Sequence, residues 1–326
     1  MDRAAQLVKD ALVWDNVWPL EPWAGNDWDK LKVFADAGWS LLSLTIAGDD
    51  QNLGQAFARV ASAHKRILAD PSLVLVEKAD DVLSAKADGK LAVTLHFEGT
   101  NCFERDLSVI EPFFRLGVRH TLLAFNVSNS AGGGCAESSD GGLTKWGRSL
   151  IAEMERVGMM LDLSHVGART SLEAMDASTR PVLFTHSNAA GVHPHYRNLT
   201  DEQIRACAVT GGLIGISGSS DYLGDLKASA EALFRHVDHV VQLVGIDHVG
   251  LGLDIVFDAE AVTNFARSRA DEWPQAKDPA WPGFRYAQPA QLVDLVAHML
   301  DRGYADEDVT KFLGGNYLRL ARRFWR

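Results

Sequence analysis

Residues 158–198 constrain the fold of this chain more than any other stretch of its sequence. They hold two short apolar runs, residues 159–163 and 181–184, and each run is followed by a small hydroxyl residue and then by a histidine, His165 or His186. Two strands joined by a helix in this way form a βαβ unit, with both imidazoles at the carboxyl edge of a parallel sheet. That edge is where α/β proteins hold metals and substrates. The pattern favours a metal site, although either histidine taken alone is equally compatible with a structural role.

Eight short apolar runs occur along the chain, and most are followed by a segment with helical spacing of its apolar residues. They predict strands at residues 11–14, 41–47, 91–97, 119–125, 159–163, 181–184, 212–216 and 248–253. Helices are predicted at residues 27–37, 53–68, 144–157, 169–178, 200–209, 228–244, 289–302 and 306–323. Strands that alternate with helices favour a (β/α)8 TIM barrel over an open doubly wound sheet. No GxGxxG or Walker sequence follows the first strand, which weakens the nucleotide-fold alternative further.

The chain has 326 residues, a length that α/β barrels commonly reach as one domain. Since no Pro/Gly/Ser-rich linker divides it, a single barrel domain over residues 1–326 is predicted. Residues 258–288 make an unusually long connection after the eighth strand and carry four large aromatic residues. Such a loop is expected to cover the barrel mouth as a lid insertion. A surface insertion packed on its own aromatics fits the sequence equally well.

Composition restricts the partners of the protein. The formal net charge is -11, with Asp+Glu 43 against Lys+Arg 32, and no basic run stands out, which argues against nucleic acid and anionic membranes as partners. Three scattered cysteines without CxxC spacing indicate neither a disulfide framework nor a thiolate zinc site. The N-terminal sequence lacks the apolar run of a signal peptide or membrane span. A cytoplasmic protein acting on a small molecule is therefore expected.

Two further strands end in acidic residues. The predicted third strand, LAVTLHFEGT, places His96 and Glu98 two residues apart and so on one face. A carboxylate there indicates a metal ligand, because an unpaired buried carboxylate is costly. The eighth strand ends at Asp254, a candidate metal ligand or proton shuttle. On that strand Gly250 and Gly252 are expected to leave open space that substrate or metal can enter.

Arg197 lies after the sixth strand, in a loop that also holds His193 and His195. Beside a metal site, a guanidinium makes a bidentate clamp for a carboxylate. A solvated, weakly ordered connection is an equally good interpretation of this loop.

These features together resemble the membrane (renal) dipeptidases, peptidase family M19, which have an amidohydrolase-like barrel fold. The resemblance extends over nearly the whole chain and places motifs in the family order on six strands or loops. The matching pieces are Glu98-Gly99, GLTKWGRSLIAEMERVGMMLDLSHVG, PVLFTHSNA, HYRNLTDEQIRA, TGGLIGISG, DHVGLGLD and FLGGNYLRL.

The resemblance implies a zinc site and a role for each matched residue. In the family, two zinc ions are held by an HxD pair on the first strand, a bridging glutamate and two histidines from consecutive later strands. Carried over, Glu98 is the bridging, catalytic carboxylate, and His165 and His186 are zinc ligands. Arg197 is the substrate clamp, and Asp254 takes part in proton transfer.

This sequence also departs from the family pattern. In VWDNVWPLEP, Asp15 is kept, but Val17 and Pro19 stand where the metal-binding His and Asp belong. One zinc ion is therefore expected rather than two, with His96 leaning in as a partial substitute for the missing histidine. In HTLLAFN, Phe125 stands where the family has a substrate-binding histidine.

The leading hypothesis is a zinc-dependent, dipeptidase-like hydrolase that cleaves an amide in a dipeptide or dipeptide-like carboxylate substrate. Phe125 and Asn126 are expected to line the substrate pocket. Because Phe125 removes an oxyanion donor, activity is expected to be reduced or moved to another amide. Two alternatives stay open: a degenerate homologue that binds a ligand without hydrolysis, and a same-fold enzyme that acts on a non-peptide substrate. The family is the only ground for expecting a homodimer.

Overall fold

The computed structural model describes residues 3–20 and 24–325, so residues 1–2, 21–23 and 326 of the predicted domain lie outside the described part. The strands are β1 (Trp14–Pro19), β2 (Leu41–Gly48), β3 (Leu73–Leu75), β4 (Leu91–Glu98), β5 (Val118–Leu122), β6 (Met160–Asp162), β7 (Leu183–Phe184), β8 (Leu213–Ile216) and β9 (Val249–Leu251). The helices are α1 (Arg3–Asp10), α2 (Leu31–Asp36), α3 (Leu53–Ala69), α4 (Asp81–Ala87), α5 (Ile110–Arg115), α6 (Lys145–Val157), α7 (Ala168–Ala177), α8 (Asp201–Val209), α9 (Ser220–Leu223), α10 (Ala230–Val244), α11 (Ala259–Ser268), α12 (Leu292–Arg302), α13 (Asp306–Thr310) and α14 (Asn316–Phe324).

Eight parallel strands close into a barrel in the order β1-β2-β4-β5-β6-β7-β8-β9, with β9 pairing back to β1. The short β3 pairs with the beginning of β4. Helices connect the strands, so the predicted (β/α)8 barrel is confirmed. The first strand begins three residues later than predicted, because it runs through the polar residues Asp15 and Asn16, whose side chains are buried and hydrogen-bonded.

Local start and stop signals set several helix boundaries. At the start of α8, Gln203 N donates to Thr200 Oγ1 at 3.2 Å and Thr200 N donates to Gln203 Oε1 at 3.0 Å, which confirms the predicted capping box. The helix stops before Gly211, which adopts a φ of 79° that few other residues tolerate. This stop sends the chain directly into β8.

Tyr317 of α14 fills the floor of the barrel. Its ring stacks on Trp14 at a centroid distance of 6.0 Å, and its hydroxyl donates to Leu251 O at 2.8 Å. A Cβ at Gly250 would lie 2.9 Å from the Tyr317 ring, and one at Gly252 would overlap the Thr185 carbonyl. The expectation that these two glycines leave space for a ligand is therefore wrong. The missing side chain of Gly250 leaves room for the Tyr317 ring, and that of Gly252 lets the chain approach the Thr185 carbonyl.

Above this floor the barrel interior is polar. His96 and Glu98 face inward, as the alternation predicted, while Leu95 and Phe97 pack in the outer core between sheet and helices. The remaining inward-facing polar side chains are all buried: Ser43, Thr45, Thr94, His120, Asp162 and Thr185. Because buried polar groups need partners, each of these side chains is hydrogen-bonded under the barrel mouth except Thr94, whose hydroxyl has no partner among the described residues.

Residues 258–288 contain α11 and a short 3-10 helix, Pro274–Lys277. Trp273, Trp281 and Phe284 in this segment are buried with Tyr222, in a cluster separate from the main core. Trp273 also contacts Phe125, with ring centroids 5.6 Å apart. Over the described ranges, 3–20 and 24–325, the structure has no helix with the length and apolarity needed to cross a bilayer.

The substitution Tyr317→Ala tests whether Tyr317 stabilises the floor of the barrel. We expect Tyr317→Ala to lower the free energy of unfolding by about 3–5 kcal/mol, because it opens a cavity beneath the polar layer. Val209→Ala, at an 88% exposed position, serves as the control and should change stability by less than about 0.5 kcal/mol. Urea denaturation of both variants measures the difference, and equal midpoints would refute a stabilising role of Tyr317.

Candidate active site

The barrel brings His165 and His186 into direct contact. Their Nε2 atoms are 2.8 Å apart, and both side chains are buried. His165 follows β6 in a left-handed conformation, with a φ of 64° that turns its ring across the barrel mouth toward β7. The predicted convergence of the two strand-end histidines is thus observed.

Hydrogen bonds on the far side of each ring fix where its proton lies. Thr185 Oγ1 donates to Asp162 Oδ2 at 2.5 Å, so it can only accept from His186 Nδ1, which is 2.8 Å away. Likewise His165 Nδ1 donates to Asn126 Oδ1 at 2.7 Å. Each neutral ring therefore carries its hydrogen on Nδ1 and presents a bare Nε2, the form that binds a metal.

Electrostatics keep both rings neutral. Burial lowers the pKa of His165 and of His186 well below the usual imidazole value, and the positive charge of Arg197 lowers both further. Burial alone would raise the pKa of Asp162, but the neighbouring His120, whose Nδ1 lies 3.5 Å away, and the Thr185 hydroxyl bring it down to about 2. Asp162 is thus the ionised end of the Asp162–Thr185–His186 chain.

Glu98 completes the predicted ligand set at the end of β4. Its Oε1 lies 3.9 Å from His186 Nε2, and its side chain is 7% exposed. In the part of the chain that the structure describes, no three His, Cys, Asp or Glu side chains are already arranged to hold a metal ion. The donor chemistry nevertheless fits a cation, because two lone pairs facing each other across 2.8 Å repel unless positive charge lies between them.

His96 is held away from this point by hydroxyl groups. Its Nδ1 lies 2.9 Å from Ser43 Oγ and its Nε2 lies 2.8 Å from Thr45 Oγ1. The distance from His96 Nε2 to Glu98 Oε1 is 4.0 Å. His120 stacks on His96 at 4.3 Å and shares the Ser43 hydroxyl with it. Sequence reasoning missed His120, because nothing in VRHTL indicates which strand neighbour its ring will meet.

Arg197 is buried and hydrogen-bonded to the His186 backbone. It is 2% exposed, its Nη2 donates to His186 O at 2.7 Å, and its Nη1 donates to Ser187 Oγ at 2.8 Å. Its Nε has no hydrogen-bond partner among the described residues. The guanidinium thus anchors the His186 backbone while some of its five donors stay available.

Asp254 also adopts a left-handed conformation, with a φ of 55°, just beyond the end of β9. Burial raises the pKa of its carboxyl to about 7; the charge of Arg197 opposes this rise and that of Asp15 adds to it. A carboxyl with a pKa near neutrality can both accept and donate a proton at physiological pH.

Phe125 and Asn126 flank His165 from the loop after β5. The Phe125 ring stacks on the His165 imidazole at 4.2 Å with an interplanar angle of 24°. Asn126 presents its oxygen to His165, while its Nδ2 is buried without a partner in the described ranges. Phe125 therefore shields the site from water and leaves Asn126 Nδ2 as an unused donor.

Beside Glu98 and Phe125 lies a cavity of ≈ 230 Å³ that opens toward solvent. Residues 258–288 contribute Phe265, Arg269 and Glu272 to its wall. Together with Asp49 and Asp50, which also line it, the cavity has four carboxylates against one guanidinium. The lining on this side of the site is therefore acidic.

A closed parallel barrel that gathers two bare imidazoles and a glutamate at its strand ends belongs, by architecture and donor set, with the metal-dependent hydrolases. Comparison with known proteins narrows this class. Residues 25–265 match the family described as "Membrane dipeptidase (Peptidase family M19)". This chain belongs to that family. The match begins after β1, the strand that lacks the expected ligands.

Relatives agree with this assignment. A dipeptidase of Claviceps purpurea is 33% identical over 253 residues, which cover 76% of this chain and 54% of that protein. This chain spans about half the length of several curated relatives that it matches. An amidohydrolase of Pseudomonas aeruginosa has a TM-score of 0.89 and 26% identity, with 99% of each chain covered. A metallo peptidase of Rhodobacter sphaeroides, solved with a phosphinate mimic of L-Ala-D-Ala, has a TM-score of 0.77 and 23% identity, covering 97% of this chain and 100% of its own.

The hydrogen bonds behind the histidines are testable. We expect Thr185→Val to weaken binding of zinc by about 10–100-fold, because His186 loses the acceptor that fixes its hydrogen on Nδ1. Thr94→Val is the matched control: the Thr94 hydroxyl is buried in the same interior and has no partner among the described residues. Calorimetric titration of the metal-free proteins gives the affinities, and equal values for the two variants would contradict the assigned role of Thr185.

Proposed function

We propose that this protein is a metal-dependent hydrolase that cleaves the amide bond of a dipeptide or a dipeptide-like carboxylate substrate. The observation that carries the proposal is the pair of bare imidazole nitrogens, 2.8 Å apart beside Glu98 at the barrel mouth. Family membership supports the reaction type. The dipeptide mimic bound by the Rhodobacter sphaeroides neighbour supports the substrate class.

His165, His186 and Glu98 would hold one zinc ion. When bound, the ion acts as a Lewis acid on the substrate carbonyl and brings the pKa of a water molecule toward neutrality. Val17 and Pro19 offer no ligand for a second ion. His96 stays our predicted partial substitute, and it would have to exchange its Thr45 hydrogen bond for the metal.

The side chains of the protein would move and hold the proton. Asp254 would accept a proton from the attacking water and pass it to the leaving amine, which its pKa of about 7 allows. Asn126 Nδ2 is buried and has no partner among the described residues, and it would donate a hydrogen bond to the substrate. Phe125 offers no donor, so the oxyanion that forms would be less stabilised than in relatives that have histidine there.

Charge would orient the substrate across the site. The acidic cavity beside Glu98 suits the free amine of a dipeptide, and Phe125 and Phe265 on its wall suit an apolar N-terminal side chain. Arg197 does not line this acidic cavity, and it would receive the carboxylate through its remaining donors.

Metal stoichiometry tests the ligand assignment. We expect elemental analysis of the zinc-loaded protein to give one ion per chain, and a lower occupancy for His165→Ala and His186→Ala. If His96 is a partial ligand, His96→Ala also lowers occupancy. An unchanged stoichiometry in His96→Ala would remove it from the ligand set without affecting the other assignments.

Activity tests the reaction. We expect the zinc-loaded enzyme to hydrolyse members of a panel of dipeptides with L- or D-configured C-terminal residues, and Asp254→Asn to lower kcat by about 10²–10⁴-fold. Asp258→Asn is the matched control, because Asp258 caps α11 and asparagine caps equally well. Uniform inactivity across the panel with zinc present would point to a non-peptide substrate.

The pH dependence follows from Asp254. Since the carboxyl must be deprotonated to accept the first proton, kcat/KM should rise as the pH increases through about 7. An acidic limb centred near the ordinary aspartate pKa would contradict the raised value. Rates measured from pH 5 to 9 on one good dipeptide distinguish the two outcomes.

A second candidate is a degenerate homologue that binds its ligand without hydrolysis. The inward bonding of Arg197, together with Val17, Pro19 and Phe125 at three family positions, favours it. Tight binding of a phosphinate dipeptide mimic without turnover of any dipeptide would select this alternative. A cytoplasmic location and a homodimer are further proposals, and analytical ultracentrifugation decides the second.

A further inference from the structure

Asp15 is the residue of the first-strand family motif that this chain keeps, and it serves as neither a predicted ligand nor a predicted catalytic group. Its side chain is completely buried in β1. Its Oδ1 accepts from Leu253 N at 3.2 Å and from Val17 N at 3.3 Å, and its Oδ2 lies 3.3 Å from Leu253 N. The carboxylate thus joins β1 to the residue directly before Asp254.

The backbone ladder explains why a side chain is needed there. Strands β1 and β9 pair at a single position, Asp15 with Leu251. Beyond it, the register of β1 shifts against β2 between Asp15 and Trp18, so β1 bulges where a further backbone acceptor for β9 would stand. Without Asp15, the buried Leu253 amide would lose its acceptor.

The next residue carries strain. Asp254 has a φ of 55°, a left-handed conformation that a residue with a Cβ adopts only when its surroundings impose it. The Leu253 amide, held by Asp15, and the Leu253 carbonyl, which accepts from Gly218 N at 3.0 Å, fix the peptide units that enter this turn. The direction of the Asp254 carboxyl therefore depends on both anchors.

We propose that Asp15 is a positioning residue, which holds the Leu253 amide and so imposes the left-handed turn that aims Asp254 into the active site. The inference rests on the proposed function in one respect, the role of Asp254 in proton transfer. It explains why Asp15 is kept in a strand where Val17 and Pro19 replace both metal ligands. The same proximity lets the charge of Asp15 raise the pKa of Asp254.

Two substitutions separate the hydrogen bond from the charge. Asp15→Ala removes the acceptor, and Asp15→Asn keeps an oxygen for the Leu253 amide while removing the charge. Ser40→Ala is the matched control, because the buried Ser40 hydroxyl accepts from Val13 N at 3.2 Å near the other end of the barrel. Measurements at pH 8, above the raised pKa of Asp254, keep that group deprotonated in every variant.

We expect Asp15→Ala to lower kcat by about 10²-fold with KM and metal content nearly unchanged, because misdirection of a catalytic group by an ångström has that effect. Asp15→Asn should retain kcat within about tenfold, and Ser40→Ala should match the wild type. Hydrogen exchange of the Leu253 amide should accelerate in Asp15→Ala alone. An unchanged kcat or a protected Leu253 amide in Asp15→Ala would overturn the proposal.

A loss of kcat in Asp15→Asn as large as in Asp15→Ala would also overturn it, since charge rather than the hydrogen bond would then be responsible. If Asp15→Ala does not fold, Asp15→Asn decides alone: a loss of kcat of about 10²-fold overturns the proposal, and a loss within about tenfold supports it. If the wild type cleaves no dipeptide, the proposed function fails. The Leu253 exchange rates still report whether Asp15 holds the turn, and rapid exchange in Asp15→Ala supports that contact.

Discussion

Two imidazole nitrogens face each other across 2.8 Å at the mouth of this barrel, and the hydrogen bonds behind them leave both without a proton. Such a contact is unfavourable by itself, so the surrounding structure has to impose it. The left-handed turn at His165 and the ionised Asp162 behind Thr185 both help to hold the two rings in this contact. The polar barrel interior therefore supports the cation site that we propose rather than acting as a source of stability.

Much of the architecture follows from short-range sequence patterns. Alternating strand and helix patterns predicted the barrel, and the Thr200–Gln203 capping box predicted the start of α8. The position of Tyr317 did not follow from any local signal, because its partners Trp14, Gly250 and Leu251 lie far away in the sequence. For the same reason the role of Gly250 and Gly252 was wrongly predicted, because the groups that fill the space beside them, Tyr317 and Thr185, are also distant in the sequence.

The candidate site likewise contains residues that could be predicted from the sequence and residues that could not. The convergence of Glu98, His165 and His186 could be predicted, because each ends or closely follows a strand and all strand ends of a parallel barrel meet at one rim. Asp162 and Thr185, which orient His186, could not be predicted, since strand stagger alone decides which inward side chains become neighbours. Family likeness supplied the roles that we propose for Arg197 and Asp254, but it did not indicate the inward bonding of Arg197 or the left-handed turn at Asp254.

The central proposal is that Glu98, His165 and His186 hold one cation. Anomalous diffraction from crystals of the zinc-loaded protein, recorded above and below the zinc absorption edge, tests it most directly. We predict one strong anomalous peak per chain, within about 2.0–2.2 Å of the two Nε2 atoms and a Glu98 oxygen. A peak bound elsewhere, or no peak at this position in zinc-loaded crystals, would contradict the account.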